Sequence, residues 1–199
     1  VAVALVVQYT APAIVVAITA LRTRHLPAPI TLIAVAAAMV GVAMVSGMWG
    51  DRLNLDGLGL VAAGLSALFF ASYTLLSEAV VQTYGALGVM FRAFVVSSLF
   101  WVAFQLTQGV PDALFTLGNL PGILFVGVGG TLVPFSLLCW GIQQVSAERA
   151  VIAATLEPVI ATGLAWMWLG QTLDWVQLLG GVLVLMAVLS LQLRVTAST

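Results

Sequence analysis

One acidic residue interrupts the apolar stretch from 153 to 166, whose sequence is AATLEPVIATGLAW. This residue, Glu157, stands directly before Pro158. A carboxylate placed in lipid costs at least about 2.5–3.5 kcal/mol, so it must face protein or water, pair with another group, or be protonated. Glu157 could therefore line a cavity, where it contacts a cationic part of a substrate or carries a proton. It could equally be a neutral structural acid, hydrogen-bonded to a neighbouring helix.

Prolines lie near the middle of three apolar stretches, at Pro12, Pro134 and Pro158. Each lacks an amide N–H and crowds the carbonyl four residues earlier. Carbonyls freed at mid-depth can bind a substrate or an ion, and a kink can act as a hinge. Prolines are also common in membrane helices, where neighbouring groups satisfy the freed carbonyls. The three prolines together favour hinges in a bundle that moves.

Other polar or amphipathic side chains inside the apolar stretches are candidates for lining a cavity with Glu157. They are Gln8, Tyr9, Thr10, Tyr73, Thr131 and Trp140. Which of them face the cavity depends on the rotation of each helix. Glu78 and Arg92 are predicted to form a structural ion pair across a turn between two apolar segments. Snorkelling of Arg92 to the membrane surface is the alternative.

The elements that hold these residues must lie in a membrane, because the composition does not suit water. Of 199 residues, 62% are hydrophobic and 7% are charged, whereas a soluble domain carries about 25% charge. A net charge of −1 without a basic patch argues against nucleic acid as a partner. No lysine is available for a retinal Schiff base, and the motifs of zinc proteases, serine hydrolases and ATP-binding loops are missing. We therefore expect no enzyme activity, cofactor or metal.

Seven apolar segments are long enough to cross a bilayer as helices, which takes about 20 residues. They are 1–21, 30–48, 57–77, 86–107, 120–142, 150–169 and 175–193. None alternates with the period of a barrel strand, and a helix satisfies every backbone polar group within its own segment. The sequence thus predicts an all-α membrane protein with seven transmembrane helices.

Arginine placement predicts the orientation of these helices. Four arginines lie in the loops and the tail that share one side, at Arg22, Arg24, Arg149 and Arg194. The opposite loops carry Arg52, between two aspartates. Because cytoplasmic loops are enriched in basic residues, the arginine-rich side, including the C-terminus, is predicted to be cytoplasmic.

The first and sixth segments resemble each other weakly. Residues 9–14, Tyr-Thr-Ala-Pro-Ala-Ile, and residues 155–160, Thr-Leu-Glu-Pro-Val-Ile, each place proline near mid-span with isoleucine two residues later. The segments are five helices apart, an odd number, so the two copies would cross the membrane in opposite directions. Inverted repeats with broken helices are typical of secondary transporters.

A five-helix repeat predicts the domain organisation. Residues 57–194 would form a complete repeat, and residues 1–48 the last two helices of a preceding one. Residues 49–56 would be an outer linker and residues 195–199 a cytoplasmic tail. Three further helices would then precede this chain.

Residues 145–185 carry the clearest resemblance to a known family. Val-Ser-Ala-Glu-Arg-Ala at 145–150, Leu-Glu-Pro-Val at 156–159, Leu-Gly-Gln-Thr-Leu at 169–173 and Leu-Leu-Gly-Gly at 178–181 resemble the end of an EamA domain, from the drug/metabolite transporter superfamily. Gln-Tyr-Thr-Ala-Pro at 8–12 resembles the matching part of a first EamA domain. The resemblance implies a ten-helix inner-membrane carrier of two inverted five-helix repeats, with cytoplasmic termini and a central substrate cavity.

The chain departs from the family pattern at several points. Gln171 follows Gly170 where the family commonly has glutamate, and Ala11 occupies the position that matches Glu157. The first three family helices are not represented. Because these helices would form part of the cavity wall, the resemblance identifies a scaffold and says little about substrate.

Residues and resemblance together predict a secondary transporter that moves a small metabolite, amino acid-like or otherwise amphipathic, across the inner membrane by alternating access. The type of cargo and the direction, export, follow from the resemblance alone. The expected partners are the small-molecule substrate and the lipid bilayer, with proton coupling as an option at Glu157. The oligomeric state stays open, and a non-transporting membrane scaffold or binding protein is the alternative.

Overall fold

A computed structural model describes residues 6–47, 57–109 and 116–196, with side chains up to residue 191. Within these ranges the chain is all-helical, as predicted, and contains no β-strand. Some predicted features lie outside the described residues: residues 1–5 of the first segment, Arg52 with the rest of the outer linker at 49–56, and the end of the tail at 197–199. The side chain of Arg194 lies outside them as well.

The helices follow the order of the predicted segments. They are α1 (Ala11–Thr23), α2 (Pro29–Val45), α3 (Gly57–Gln108), α4 (Leu120–Leu124), α5 (Val133–Gln144), α6 (Ala147–Ala154), α7 (Leu156–Leu169) and α8 (Trp175–Thr196). A 3₁₀ turn at Leu117–Asn119 precedes α4, and a π-helix at Phe125–Leu132 joins α4 to α5. Among the described residues, four helices have a proline in the first turn, at Pro12, Pro29, Pro121 and Pro134.

Among the residues that the structure describes, four helical segments are long and apolar enough to cross a membrane. They are Val6–Thr23, Gly57–Gln108, Leu117–Gln144 and Ala147–Leu169. Two shorter apolar helices accompany them, Pro29–Val45 and Trp175–Leu191. The predicted class, an α-helical membrane protein, is confirmed.

The break between the third and fourth predicted segments is much shorter than expected. The sequence predicted helices at 57–77 and 86–107, whereas the structure keeps the helix through Tyr84 and resumes it at Ala86. Gly85 alone is non-helical, with φ 69° and ψ 160°, a conformation that is open essentially to glycine. Residues 78–84 looked like a loop because three of them are polar, yet all are compatible with a helix, and Val81 among them is fully buried.

The chain forms two compact units, one from Val1–Leu75 with Ala147–Thr199 and the other from Leu76–Ser146. The core of the first unit lies between α2 and α8, which pack along their length. Ala38 and Val42 of α2 and Val184 of α8 are fully buried there. Beside this pair, α1 packs on α6, where Val15 and Val151 are buried.

Two glycines allow the backbones of α2 and α8 to touch. A Cβ built on Gly41 would lie 2.8 Å from the carbonyl oxygen of Gly180 and 3.1 Å from the amide nitrogen of Val184. A Cβ built on Gly180 would lie 2.7 Å from the carbonyl oxygen of Gly41 and 2.9 Å from the amide nitrogen of Val45. The contact is reciprocal, as it is between surfaces related by a two-fold axis.

Gln177 ties one end of the same helix pair. Its Nε2 donates a hydrogen bond to the carbonyl oxygen of Val45 at 3.3 Å, and its Oε1 accepts one from the amide of Asp174 at 3.0 Å. One side chain thus satisfies a carbonyl at the end of α2 and an amide beside the start of α8, groups that lack partners within their helices.

The second unit presents much of its apolar surface outward. On residues 86–108, an open groove of about 380 Å³ is lined by Phe91, Phe94, Val95, Ser98, Leu99 and Val102. The ring of Trp101 stacks edge-on against Phe100 and Phe104, with 5.6 Å between the ring centroids in each pair. Outward apolar side chains of this kind suit a lipid environment.

Replacing Gly180 with alanine should destabilise the fold by about 1–3 kcal/mol, because the new methyl group would overlap the main chain of α2. Thermal unfolding of the purified protein in detergent measures this loss. The matched control is Gly163→Ala in α7, where a Cβ meets nothing within 4 Å. Gly163→Ala should leave stability unchanged or raise it slightly. Equal melting temperatures for the two variants would contradict the close backbone contact.

Candidate functional site

A hydrogen bond joins Glu157 to the first predicted segment. The hydroxyl of Tyr9 donates to Oε2 of Glu157 at 3.1 Å, across 148 residues of sequence. Tyr9 is half-buried, while Glu157 is exposed. At 1.5 Å per residue, Glu157 lies about 15 Å from the start of the helical segment Ala147–Leu169, near its middle. The acid predicted at mid-depth therefore has a phenol partner from another helix.

The helix that carries Tyr9 is broken just before α1. The amide of Thr10 donates to the carbonyl oxygen of Val7 at 3.1 Å, and its hydroxyl donates to the same oxygen at 2.7 Å. Thr10 has φ −77° and ψ −10°, so the chain tightens there before Pro12 occupies the first turn of α1. Pro12 offers no N–H, so the regular hydrogen bond to the carbonyl of Gln8 cannot form.

The helix that carries Glu157 is broken in the same manner at Thr155. Its amide donates to the carbonyl oxygen of Ile152 at 3.0 Å, and its hydroxyl donates to the same oxygen at 2.6 Å. Thr155 has φ −67° and ψ −7°. The predicted segment 150–169 begins at Ala147 in the structure and divides into α6 and α7. The division falls where Pro158 removes the donor for the carbonyl of Ala154.

The two breaks are equivalent in conformation and capping. Each has a threonine whose hydroxyl and amide both bond the carbonyl three residues earlier, and each has a proline shortly afterwards. One break presents Tyr9 and the other presents Glu157. Sequence reasoning aligned the prolines but missed the role of Thr155, and it treated Thr10 as a cavity candidate. A threonine two or three residues before a mid-span proline was the available signal.

The other cavity candidates are distributed over both compact units. Gln8 is exposed beside the first break, and Tyr73 is half-buried with its ring 6.2 Å from that of Phe70. In the second unit, the hydroxyl of Thr131 donates to the carbonyl of Val126 at 3.2 Å, and Trp140 is 56% exposed. The structure thus joins Tyr9 to Glu157, and the cavity-lining roles of the remaining candidates stay predictions.

Pro134 follows the π-helix Phe125–Leu132, a wide turn of the kind often found at functional sites. Glycines at 127, 129 and 130 lie within it. A Cβ at any of the three would meet no atom of another described element within 4 Å. They coincide with the wide turn, and the predicted hinge at Pro134 stays a prediction.

Arg92 is held by groups near Gly85. Its Nη1 donates to the carbonyl oxygen of Gly88 at 2.8 Å, and its guanidinium carbon lies 4.3 Å from the ring centroid of Tyr84. This is the geometry of a cation–π interaction. The ion pair with Glu78 stays a prediction.

The Tyr9–Glu157 pair can do two kinds of chemistry. The carboxylate can accept a proton, or it can accept hydrogen bonds from a cationic donor that displaces the phenol. Across residues 6–47, 57–109 and 116–196, no three histidine, cysteine, aspartate or glutamate side chains come together as a possible metal site. Apolar helices that are broken near a proline and carry polar side chains at the breaks are typical of multi-pass membrane transporters.

The chain belongs to the EamA-like transporter family, whose sequence model matches residues 57–192. This membership confirms the resemblance found in the sequence and places the chain among transporters rather than enzymes.

Curated relatives carry transporter names. The chain is 28% identical over 178 residues to "uncharacterized transporter YcbK" of Bacillus subtilis, which covers 85% of this chain and 56% of the relative. It is 27% identical to an "uncharacterized transporter" of Archaeoglobus fulgidus, over 95% of this chain and 66% of the relative. It is 28% identical to "uncharacterized inner membrane transporter YicL" of Salmonella typhimurium, over 96% of this chain and 64% of the relative. The chain spans between 56% and 66% of the length of these three relatives. No solved structure is significantly similar to it.

The hydrogen bond between Tyr9 and Glu157 should appear as coupling in a double-mutant cycle. Tyr9→Phe and Glu157→Ala should show an interaction free energy of about 1–3 kcal/mol in thermal unfolding, the range for hydrogen bonds that involve neutral or charged partners. The control pairs Glu157→Ala with Tyr84→Phe, whose ring contacts Arg92. That pair should be additive within about 0.5 kcal/mol. Additive effects in both cycles would contradict a stabilising hydrogen bond between Tyr9 and Glu157.

Proposed function

We propose that this chain is part of a secondary transporter that exports a small amphipathic metabolite, amino acid-like in size and charge, across a bacterial inner membrane by alternating access. The family and the relatives named as transporters support it. The observation that carries the proposal is the Tyr9–Glu157 hydrogen bond, because it links the broken ends of two different membrane helices.

The proposed topology has seven crossings. Gly85 divides Gly57–Gln108 into two helices, each of which is long enough to span a bilayer. With Val6–Thr23, Leu117–Gln144, Ala147–Leu169 and the two shorter apolar helices, seven apolar crossings result. We propose that they are helices four to ten of a ten-helix bundle, with the C-terminus in the cytoplasm.

Two independent features support inverted repeats, in which residues 1–48 end the first repeat and residues 57–194 form the second. The contact between Gly41 and Gly180 is reciprocal, as it would be if α2 and α8 were related by a local two-fold axis. The breaks at Thr10 and Thr155 have matching conformations, and each hydroxyl donates to the carbonyl three residues earlier. Both features relate the same two parts of the chain.

Alternating access at this site would proceed by exchange of partners on the carboxylate. In the resting state Tyr9 satisfies Glu157. A substrate ammonium group is a stronger partner for a carboxylate than a neutral phenol, because the hydrogen bond is charge-assisted. Substrate binding would therefore release Tyr9, and the two helix ends could move apart about hinges at Pro12, Pro134 and Pro158. The apolar surroundings of Glu157 would favour a substrate whose remaining surface is apolar.

Glu157→Gln tests the acid directly. The amide keeps the size of the side chain and can still accept a hydrogen bond from Tyr9, but it can neither titrate nor bind a cation by charge. In proteoliposomes, counterflow of labelled amino acids and amines should fall by about tenfold or more and lose its pH dependence. Asp174→Asn removes an exposed acid outside the apolar helices and should leave both quantities unchanged.

Unchanged counterflow and pH dependence in Glu157→Gln would refute the role of the acid. A non-transporting scaffold would give no counterflow even with the unaltered protein. The two outcomes therefore separate a wrong residue from a wrong function.

The proposed orientation can be tested with single cysteines, because Cys139 is the one cysteine of the chain and is buried. In a Cys139→Ala background, His25→Cys lies beside the arginines of the predicted cytoplasmic loop, and Gln171→Cys lies at the opposite end. A membrane-impermeant maleimide applied to intact spheroplasts should label Gln171→Cys and spare His25→Cys. The reverse pattern would invert the proposed topology.

A further inference from the structure

We propose that Thr10 and Thr155 are positioning residues that aim Tyr9 and Glu157 at each other through the two helix breaks. The role of this positioning in transport rests on the proposed function, whereas the positioning itself is argued from the hydrogen bonds of the structure. Thr10 directly follows Tyr9, and Thr155 precedes Glu157 by two residues. Each threonine therefore controls the backbone that carries one member of the pair.

The hydroxyl of Thr155 donates its hydrogen bond to a carbonyl of the preceding helical turn. Thr155 is 1% exposed, and its Oγ1 lies 2.6 Å from the carbonyl oxygen of Ile152. That oxygen also accepts the amide of Thr155 at 3.0 Å, so one carbonyl receives both donors. These two hydrogen bonds to one carbonyl hold the chain in a tight, three-residue turn at the junction of α6 and α7.

The difference between a 3₁₀ turn and an α-helical turn at Thr155 is large enough to form or break the hydrogen bond between Tyr9 and Glu157. One residue advances about 100° around an α-helix and about 120° around a 3₁₀ turn. A carboxylate about 6 Å from the helix axis would therefore move by about 2 Å if Thr155 relaxed to α geometry. A hydrogen bond that is already 3.1 Å long would not survive such a shift.

Thr10 acts in the same way on the partner side. Its hydroxyl and amide lie 2.7 Å and 3.1 Å from the carbonyl oxygen of Val7. The neighbouring side chain, that of Tyr9, leaves the helix at this tightened turn. Loss of either threonine hydroxyl should thus separate the pair.

A third threonine in the chain shows that the hydroxyl bond alone does not break a helix. Thr74 is fully buried, and its hydroxyl donates to the carbonyl oxygen of Ala71 at 2.8 Å. The helix runs through Thr74 without interruption, and no proline follows it before Gly85. The break needs proline to remove a donor and threonine to cap the resulting turn. Thr74 is therefore a matched control with the same chemistry at another place.

The decisive experiment compares Thr155→Val, which keeps the shape and loses the hydroxyl, with Thr155→Ser, which keeps the hydroxyl. The first readout is the ¹³Cζ NMR shift of Tyr9 in detergent, assigned by Tyr9→Phe among the three tyrosines. Thr155→Val should move this signal to its position in Glu157→Ala, whereas Thr155→Ser and Thr74→Val should leave it in place. The second readout is the pH profile of counterflow, which only Thr155→Val of these three should alter.

An unmoved Tyr9 signal in Thr155→Val would overturn the proposal. If that variant does not fold, Thr10→Val addresses the same geometry from the other helix and should give the same displaced signal, and an unmoved signal there would overturn the proposal equally. The NMR readout needs no transport. A displaced signal in a protein without counterflow would uphold the positioning role and refute the transport function, so the two failures are distinguishable.

Discussion

The structure depends on one constraint, that a helix interrupted inside a bilayer must satisfy its own backbone because lipid offers no hydrogen bonds. Mid-span prolines create the demand by removing amide donors at 12 and 158. In the same turns, the hydroxyls of Thr10 and Thr155 donate to the adjacent carbonyls of Val7 and Ile152. Each break lies beside one polar side chain of the hydrogen-bonded pair, Tyr9 or Glu157.

The acid at 157 illustrates what the breaks make possible. Its distance from the helix start places it near the middle of the apolar segment Ala147–Leu169. An unpaired carboxylate at the middle of a membrane-spanning helix is costly. The phenol of Tyr9 donates a hydrogen bond to the carboxyl group of Glu157 and brings no cation. A salt bridge at the same depth would occupy the carboxylate more completely. The weaker partner leaves Glu157 able to bind something else.

The sequence alone predicted the class of fold and one residue of the candidate site. Composition and segment length predicted apolar helices, and the lone acid between apolar residues identified Glu157. The partner could not be chosen among six candidates, because the contact between Tyr9 and Glu157 depends on how α1 packs on α6. The single-residue break at Gly85 was missed because Glu78, Gln82 and Thr83 resemble a loop in composition, although they continue the helix. The π-helix was missed since a wide turn has no apolar periodicity of its own.

The reciprocal contact of Gly41 and Gly180 has an evolutionary consequence. A clash caused by a larger residue is usually relieved by a smaller one opposite, but here the opposite residue is already the smallest and the obstacle is main chain. The Cβ built on Gly41 would also lie 2.6 Å from Cγ2 of Val184, and the Cβ built on Gly180 would lie 2.6 Å from Cβ of Met44. A smaller side chain at either of those positions would still leave the main-chain overlap in place. We therefore expect both glycines to be retained during evolution, even where the other residues at the contact between α2 and α8 are substituted.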